Sequence, residues 1–376
     1  MTFIERAWYH KAKWLYALWP LHWLFTTLAA RRRKLLSAKA ENWPVPVVVV
    51  GNISVGGTGK TPLLIALVAH LQRQGLNPGI VSRGYGSKSK GFPLNVTADT
   101  AVEESGDEAL LIARHCGCPV VIDPDRVAAI TYLLDQHSVD VVLCDDGLQH
   151  YAMARDIELI VVDGERRFGN ELCLPAGPLR EPLSRLGEAD LVIVNGTKAA
   201  AAKVRATLLS NGVSWSSSVG KQSSSQPLQE KRAAVCRDPA QGFAMTIEPD
   251  CFINVVSGER RPYGGAPFKI GSRLQAVSGL GNPERFYSVL DELPHKVSRY
   301  SFKDHHWFKK EDFDALGLDD IQPIVMTEKD AVKVEDFARS NFWYLSIRCR
   351  LSESLLAAFD RRLTMARAAK VESGKR

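Results

Sequence analysis

Short apolar runs recur along the chain from Val45 onward, at Val47 to Val50, Gly79 to Val81, Val120 to Ile122, Val139 to Cys144, Leu159 to Val162 and Leu191 to Val194. They are rich in β-branched residues and lack the polar alternation of a half-exposed strand, so they read as strands buried on both faces. Between them the spacing becomes helical. In Pro62 to Gln74 apolar residues fall at 63, 64, 67, 68 and 71, and Gly75 is placed to end the helix. Strands alternating with amphipathic helices predict a parallel, doubly wound α/β domain.

The rhythm fails between about Gly212 and Gly242, where Ser214, Ser216 to Ser218 and Ser223 to Ser225 replace periodic apolar positions. A boundary or insertion is predicted there. Phe243 to Val256 then reads as extended chain. A second, smaller set of α/β elements starts at Leu274 to Ser278, and Gly279-Leu280-Gly281-Asn282-Pro283 leads into a helix from Glu284. Leu355 to Ala369 reads as a basic terminal helix, and no internal repeat is evident. The predicted division is a helical segment over 1–44, a first α/β domain over 45–211, the Ser-rich stretch and extended linker over 212–266, and a smaller α/β domain over 267–376.

The first segment has a different character. Five of the eight tryptophans (8, 14, 19, 23 and 43) lie in it, around an apolar run from Trp14 to Ala30 that Pro20 and His22 interrupt. His10, Lys11 and Lys13 precede the run and Arg31 to Lys34 follow it. Tryptophan with flanking cations is the pattern of a helix held at an anionic bilayer surface. A helix packed on the protein, a spanning helix and a cleaved signal compete with that reading. The run is at the lower limit for spanning, and the strongest basic cluster follows it, the reverse of a signal peptide.

Composition narrows the rest modestly. A chain of 376 residues with a net charge of +6 has room for two cores, and its excess charge suits an acidic ligand or membrane surface but is too slight for a dedicated nucleic-acid binder. Seven scattered cysteines (116, 118, 144, 173, 236, 251 and 349) form no second close pair and no His cluster that would complete a zinc site, so they read as reduced thiols.

The chemistry is concentrated after the first strand. Val47 to Val50 runs through Gly51-Asn52-Ile53 into Ser54-Val55-Gly56-Gly57-Thr58-Gly59-Lys60-Thr61, followed at once by the helical pattern. Glycines there let backbone N–H groups approach phosphate oxygens, Lys60 reaches the outer phosphates, and Thr61 is placed to ligate Mg²⁺. The usual phosphate loop opens on glycine, and this one opens on Ser54. A second site follows Val139 to Cys144: Asp145-Asp146-Gly147-Leu148-Gln149-His150 puts two carboxylates at the carboxyl end of a parallel strand, where a Mg²⁺-holding pair is expected. Asn195-Gly196-Thr197-Lys198 and Thr327-Glu328-Lys329-Asp330 resemble fragments of a guanine-reading motif but lack its offsets, which favours ATP over GTP.

These segments resemble the tetraacyldisaccharide 4′-kinases. The resemblance rests on Gly51-Asn52 with Gly56 to Pro62, Ser82-Arg83-Gly84-Tyr85-Gly86, Gly106-Asp107-Glu108, Asp123 to Arg126, Asp145 to His150, Leu174 to Pro182, Gly279 to Phe286, Phe302 with Asp304-His305-His306, and Thr327 to Asp330. It implies a P-loop NTPase-like domain joined by a β-linker to a smaller α/β domain, with a membrane-associated N-terminal helix. It further implies transfer of the ATP γ-phosphate to the 4′-hydroxyl of an acylated disaccharide 1-phosphate at the cytoplasmic face of the bacterial inner membrane. Asp107 then matches a catalytic aspartate and His305 a histidine paired with it across the domains. Glu108, Asp145 and Asp146 match acidic residues around Mg²⁺ and the phosphates, while Tyr85, Arg126, Gln149, His150 and Arg180 match further substrate or phosphate contacts. No obligate protein partner is expected. A nucleotide-switched membrane adaptor and a soluble small-molecule kinase are the competing functions.

Overall fold

The computed structural model describes residues 3–213, 215–216, 240–265, 267–318 and 321–374. Of the serines that break the apolar rhythm, Ser214, Ser217, Ser218 and Ser223 to Ser225 lie outside the described residues. The chain forms two compact units, one from Thr61–Ser138 and Ile247–Cys349, the other from the described parts of Thr2–Lys60, Val139–Thr246 and Arg350–Arg376.

In the second of these units the apolar runs form a parallel sheet. Val141–Asp145 pairs with Val47–Gly51, which pairs with Ile157–Asp163, then Leu191–Asn195, then the start of the long strand Ala240–Asn254. Every residue of the first four strands is buried, as continuous Val and Ile runs require. The helix Lys198–Ser210, capped by Thr197 Oγ1 accepting from Ala200 N, packs on Leu191–Asn195. The terminal helix Glu353–Gly374 packs on Ile157–Asp163.

The N-terminal segment is partly packed and partly bare. Trp8 and Leu15 are buried against Val55 and Leu174, Trp8 Nε1 donates to Pro175 O, and Cys173 N donates to His22 Nδ1. The helix Trp19–Ser37 buries none of its residues, and Trp19 and Trp23 are 55% and 61% exposed. Among the described residues no helix is long and apolar enough to cross a membrane.

The other unit contains two groups of strands. Pro78–Ser82 pairs in parallel with Val120–Ile122, to which Leu94–Val96 is antiparallel. Lys296–Ser301, Arg273–Ser278, Ile324–Thr327 and Phe342–Leu351 form a parallel series in that order. Here the strands alternate as their side chains divide between two faces. Leu274, Ala276, Val325, Trp343 and Leu345 join Phe252, Tyr287 and Leu290 in one core, while Val277, Ile324, Met326 and Phe342 join Phe308 and Phe313 in another. Tyr287 and Leu290 come from the helix Glu284–Asp291, which starts where the sequence predicts.

Candidate active site

The phosphate loop leaves the carboxyl end of Val47–Gly51, and the acidic pair leaves the carboxyl end of its neighbour, with Val50 and Asp145 in register. Strand pairing therefore brings the two motifs to one edge of the sheet. Gly56 and Gly59 have φ of +98° and +94°, values that side chains rarely adopt, whereas Ser54 is not among the residues with positive φ. Its backbone needs no glycine, and it is held instead by a bridge to Leu179 and by Asn52 Nδ2 donating to Ser54 O at 2.7 Å. Val55 N donates to Pro178 O, and Asn195 Nδ2 donates to Thr58 O at 3.0 Å. Asn195, one end of the guanine-like fragment, is thus a tie to the loop.

Lys60 Nζ lies 3.6 Å from Asp146 Oδ1 and donates to Asn52 Oδ1 at 3.3 Å. Asp146 also receives Arg180 Nη1 at 3.3 Å. Gln149 Nε2 donates to Asn52 O at 3.1 Å and to Glu181 Oε1 at 2.7 Å, while its Oε1 accepts from Arg180 at 3.5 Å. Lys60, Asp146, Gln149 and Arg180 thus form one polar cluster beside the loop. Asp145 is 2% exposed. His150 turns the chain after the pair, its N–H donating to Gly147 O and its carbonyl accepting from Arg155. Asp146 has φ of +45°, an uncommon conformation for a residue with a side chain and one found at functional turns.

The other unit holds the second cluster. Asp107 is the first residue of the helix Asp107–Cys116 and is 5% exposed. Gly106 before it has φ of +79°, and a Cβ there would lie 2.4 Å from Tyr85 O, so only glycine lets the helix begin at that point. Asp107 Oδ1 accepts from Glu108 N at 2.9 Å and Oδ2 faces His305 Nδ1 at 3.2 Å. His305 has φ of +56°. The Tyr85 ring, 55% exposed on its residue, lies 4.5 Å from the imidazole. Glu108 Oε1 accepts from Lys329 Nζ at 2.8 Å, and the same ammonium is 3.3 Å from His305 Nε2. Burial pushes the Asp107 carboxyl upward, but the hydrogen bond from His305 and the charges of Lys329 and Lys333 outweigh it and hold the group below its usual range. Burial lowers Lys329, and Glu108 and Asp107 together outweigh that and raise it.

Arg126 is 3% exposed at the start of Arg126–Gln136, donating to Pro124 O at 3.3 Å and Asp123 O at 3.5 Å. Thr61 is the second residue of the helix Lys60–Arg73. Its hydroxyl and the carboxylates of Asp145 and Asp146 are hard oxygen donors whose chemistry fits Mg²⁺. Among the described residues no group of three or more His, Cys, Asp or Glu could hold a metal by itself. A Mg²⁺ that keeps water and takes phosphate oxygens requires none.

Sequence reasoning left Lys329, Asp330, Lys333 and Glu181 without roles. A signal for Asp330 exists: Thr327-x-x-Asp330 is a capping pattern, and Thr327 Oγ1 does accept from Asp330 N.

A phosphate loop at the edge of a parallel sheet, with lysine and carboxylates gathered beside it, defines the P-loop class of nucleotide-binding proteins. Within it, the family model described as tetraacyldisaccharide-1-P 4′-kinase matches residues 14–364, and the chain belongs to that family. It is 42% identical over 369 residues to a tetraacyldisaccharide 4′-kinase of Pseudomonas entomophila, covering 96% of this chain and 97% of that protein. The corresponding protein of Pseudomonas syringae pv. syringae is 40% identical, with 96% and 98% covered. A crystal structure of LpxK from Aquifex aeolicus in complex with ATP superposes with a TM-score of 0.68 at 28% identity, over 93% of this chain and 99% of that one.

Proposed function

We propose that this chain transfers the γ-phosphate of ATP to the 4′-hydroxyl of a tetraacyldisaccharide 1-phosphate, a step of lipid A biosynthesis, at the cytoplasmic face of the inner membrane. The observation that carries the reading is the Asp107–His305 hydrogen bond, between residues 198 apart in sequence, in a chain that also bears a complete phosphate loop.

In this reading residues 54–61 cradle the phosphates, with Lys60 stabilising charge on the outer ones. Mg²⁺, when bound through Thr61 and the acidic pair, neutralises phosphate charge. Asp107 accepts the proton of the acceptor hydroxyl. A sugar hydroxyl is a weak acid, so its proton leaves late, and a carboxylate held ionised is suited to receive it. His305 orients Asp107, and Tyr85 offers an exposed ring beside them. Arg180 and Arg126 supply guanidinium groups suited to phosphate oxygens. The bare tryptophans of Trp19–Ser37 and the cations of Arg31 to Lys34 support peripheral attachment to the bilayer that holds such a substrate. Mass spectrometry of lipids after depletion of the protein tests this: unphosphorylated tetraacyldisaccharide 1-phosphate accumulates if the reading is right, and an unchanged lipid profile contradicts it.

A further inference from the structure

The side chain of Lys333 is 1% exposed, and the carboxylates that flank it, Asp107 and Asp330, are 5% and 0% exposed. A cation so removed from water is stable only when paired and hydrogen-bonded. Its Nζ donates to Asp330 Oδ1 at 2.8 Å and lies 3.6 Å from Asp107 Oδ2, over the face of Phe308. The second oxygen of Asp330 accepts from Gly279 N at 2.9 Å and Thr327 Oγ1 at 2.8 Å. Gly279 O in turn accepts from His305 N at 3.1 Å, and His305 closes the circuit on Asp107.

Two consequences follow for the catalytic pair. Asp107 Oδ2 sits between an imidazole and an ammonium, while Oδ1 is held by Glu108 N, so its rotation is fixed from three sides. His305 occupies a left-handed backbone conformation that persists only where its surroundings impose it, and the Asp330 bond anchors Gly279, the residue whose carbonyl accepts from His305 N.

We propose that Lys333 and Asp330 are positioning residues for phosphoryl transfer, one buried ion pair that holds Asp107 and the His305 backbone in the geometry of reaction. This rests on the phosphotransfer reading above. Lys333 and Asp330 act through Asp107 and His305 and need not touch substrate. Misplacing a reacting group by about 1 Å costs about 100-fold in rate. Lys333→Met, of similar length and without charge, is therefore expected to lower kcat by about 100-fold while leaving KM for ATP and for the lipid unchanged.

The test follows transfer of label from γ-labelled ATP to tetraacyldisaccharide 1-phosphate in detergent micelles, in four proteins: wild type, Lys333→Met, Asp107→Asn and the double variant. If Lys333 acts through Asp107, its substitution produces no further loss in the Asp107→Asn background. A wild-type kcat in folded Lys333→Met, or an equal fold-loss in both backgrounds, overturns the proposal. Asp330→Asn keeps the size and an acceptor for Gly279 N while releasing Lys333. It carries the test if Lys333→Met does not fold by circular dichroism, and a kcat loss between about 10- and 100-fold is expected of it. Wild-type kcat in folded Asp330→Asn overturns the proposal equally. Failure of the wild type itself to label the lipid would refute the phosphotransfer reading instead.

Discussion

Replacing Gly106 by alanine isolates the link between one backbone conformation and the chemistry. Gly106 has φ of 79° and ψ of 156°, a region essentially confined to glycine, so any side chain there costs about 1–3 kcal/mol. The alanine Cβ would also meet Tyr85 O at 2.4 Å, where real contacts stay beyond 3.0 Å, so the two backbones must part by roughly 0.6 Å. The segment that moves carries either Asp107, at the next position, or Tyr85, whose ring lies tilted against the His305 imidazole. A displacement of that size predicts a loss of kcat between about 10- and 100-fold with little change in ATP affinity. Gly117→Ala is the control: at the other end of the same helix, φ is also positive at 55°, but an added Cβ meets nothing within 4 Å. It should cost about 1 kcal/mol of stability and leave kcat alone. Steady-state kinetics with melting curves of both variants decide the matter. Equal activity in the two, at equal stability, would refute the claim that the Tyr85–Gly106 approach positions the site.

Other perturbations have equally definite outcomes. Arg185 is 2% exposed between Glu158 at 2.5 Å and Glu181 at 3.3 Å, so Arg185→Met removes a cation shared by two buried carboxylates. Because Glu158 keeps Arg155 at 3.2 Å, the lower part of the usual range is expected, about 3 kcal/mol in urea unfolding, and a loss below 1 kcal/mol would contradict it. His115 is raised by its hydrogen bond to Glu328, against burial, and further by the charge of Glu328. Its pair therefore stabilises fully below the unfolded value of about 6.5 and fades as pH rises through the folded value, giving wild type about 0.5 kcal/mol over His115→Gln at pH near 5.5. An advantage that persists at pH 9 would reverse that sign. Trp19→Ser with Trp23→Ser should reduce sedimentation with anionic vesicles without altering the melting curve, and unchanged sedimentation would remove those side chains from the membrane contact.

The parts of the fold that were legible in the sequence are those in which local pattern and tertiary burial agree. The runs at 47–50, 120–122, 159–162 and 191–194 each became a wholly buried strand, and the glycine and lysine spacing of the phosphate loop identified itself. Lys296–Ser301 escaped because an edge strand carrying Lys296 and Arg299 shows no apolar pattern. Asp107 and His305 came from family resemblance, since no periodicity selects one acid among 42. Lys333 was illegible for a deeper reason. A lysine in sequence reads as surface, and only the fold shows that its charge is enclosed by Asp107 and Asp330. The left-handed backbones of Asp146 and His305 are also set by their surroundings rather than by their own propensities.

The central claim is that the phosphate loop and Asp107 serve one transfer reaction. Purified protein given γ-labelled ATP, Mg²⁺ and tetraacyldisaccharide 1-phosphate tests it directly, with lipid label and ADP counted together. One labelled 4′-phosphate is predicted for each ADP formed, with both rates falling at least about 100-fold, to a measurable residue, in folded Lys60→Met and Asp107→Asn variants. ADP released without label on the lipid, or transfer that survives Asp107→Asn unchanged, would contradict it.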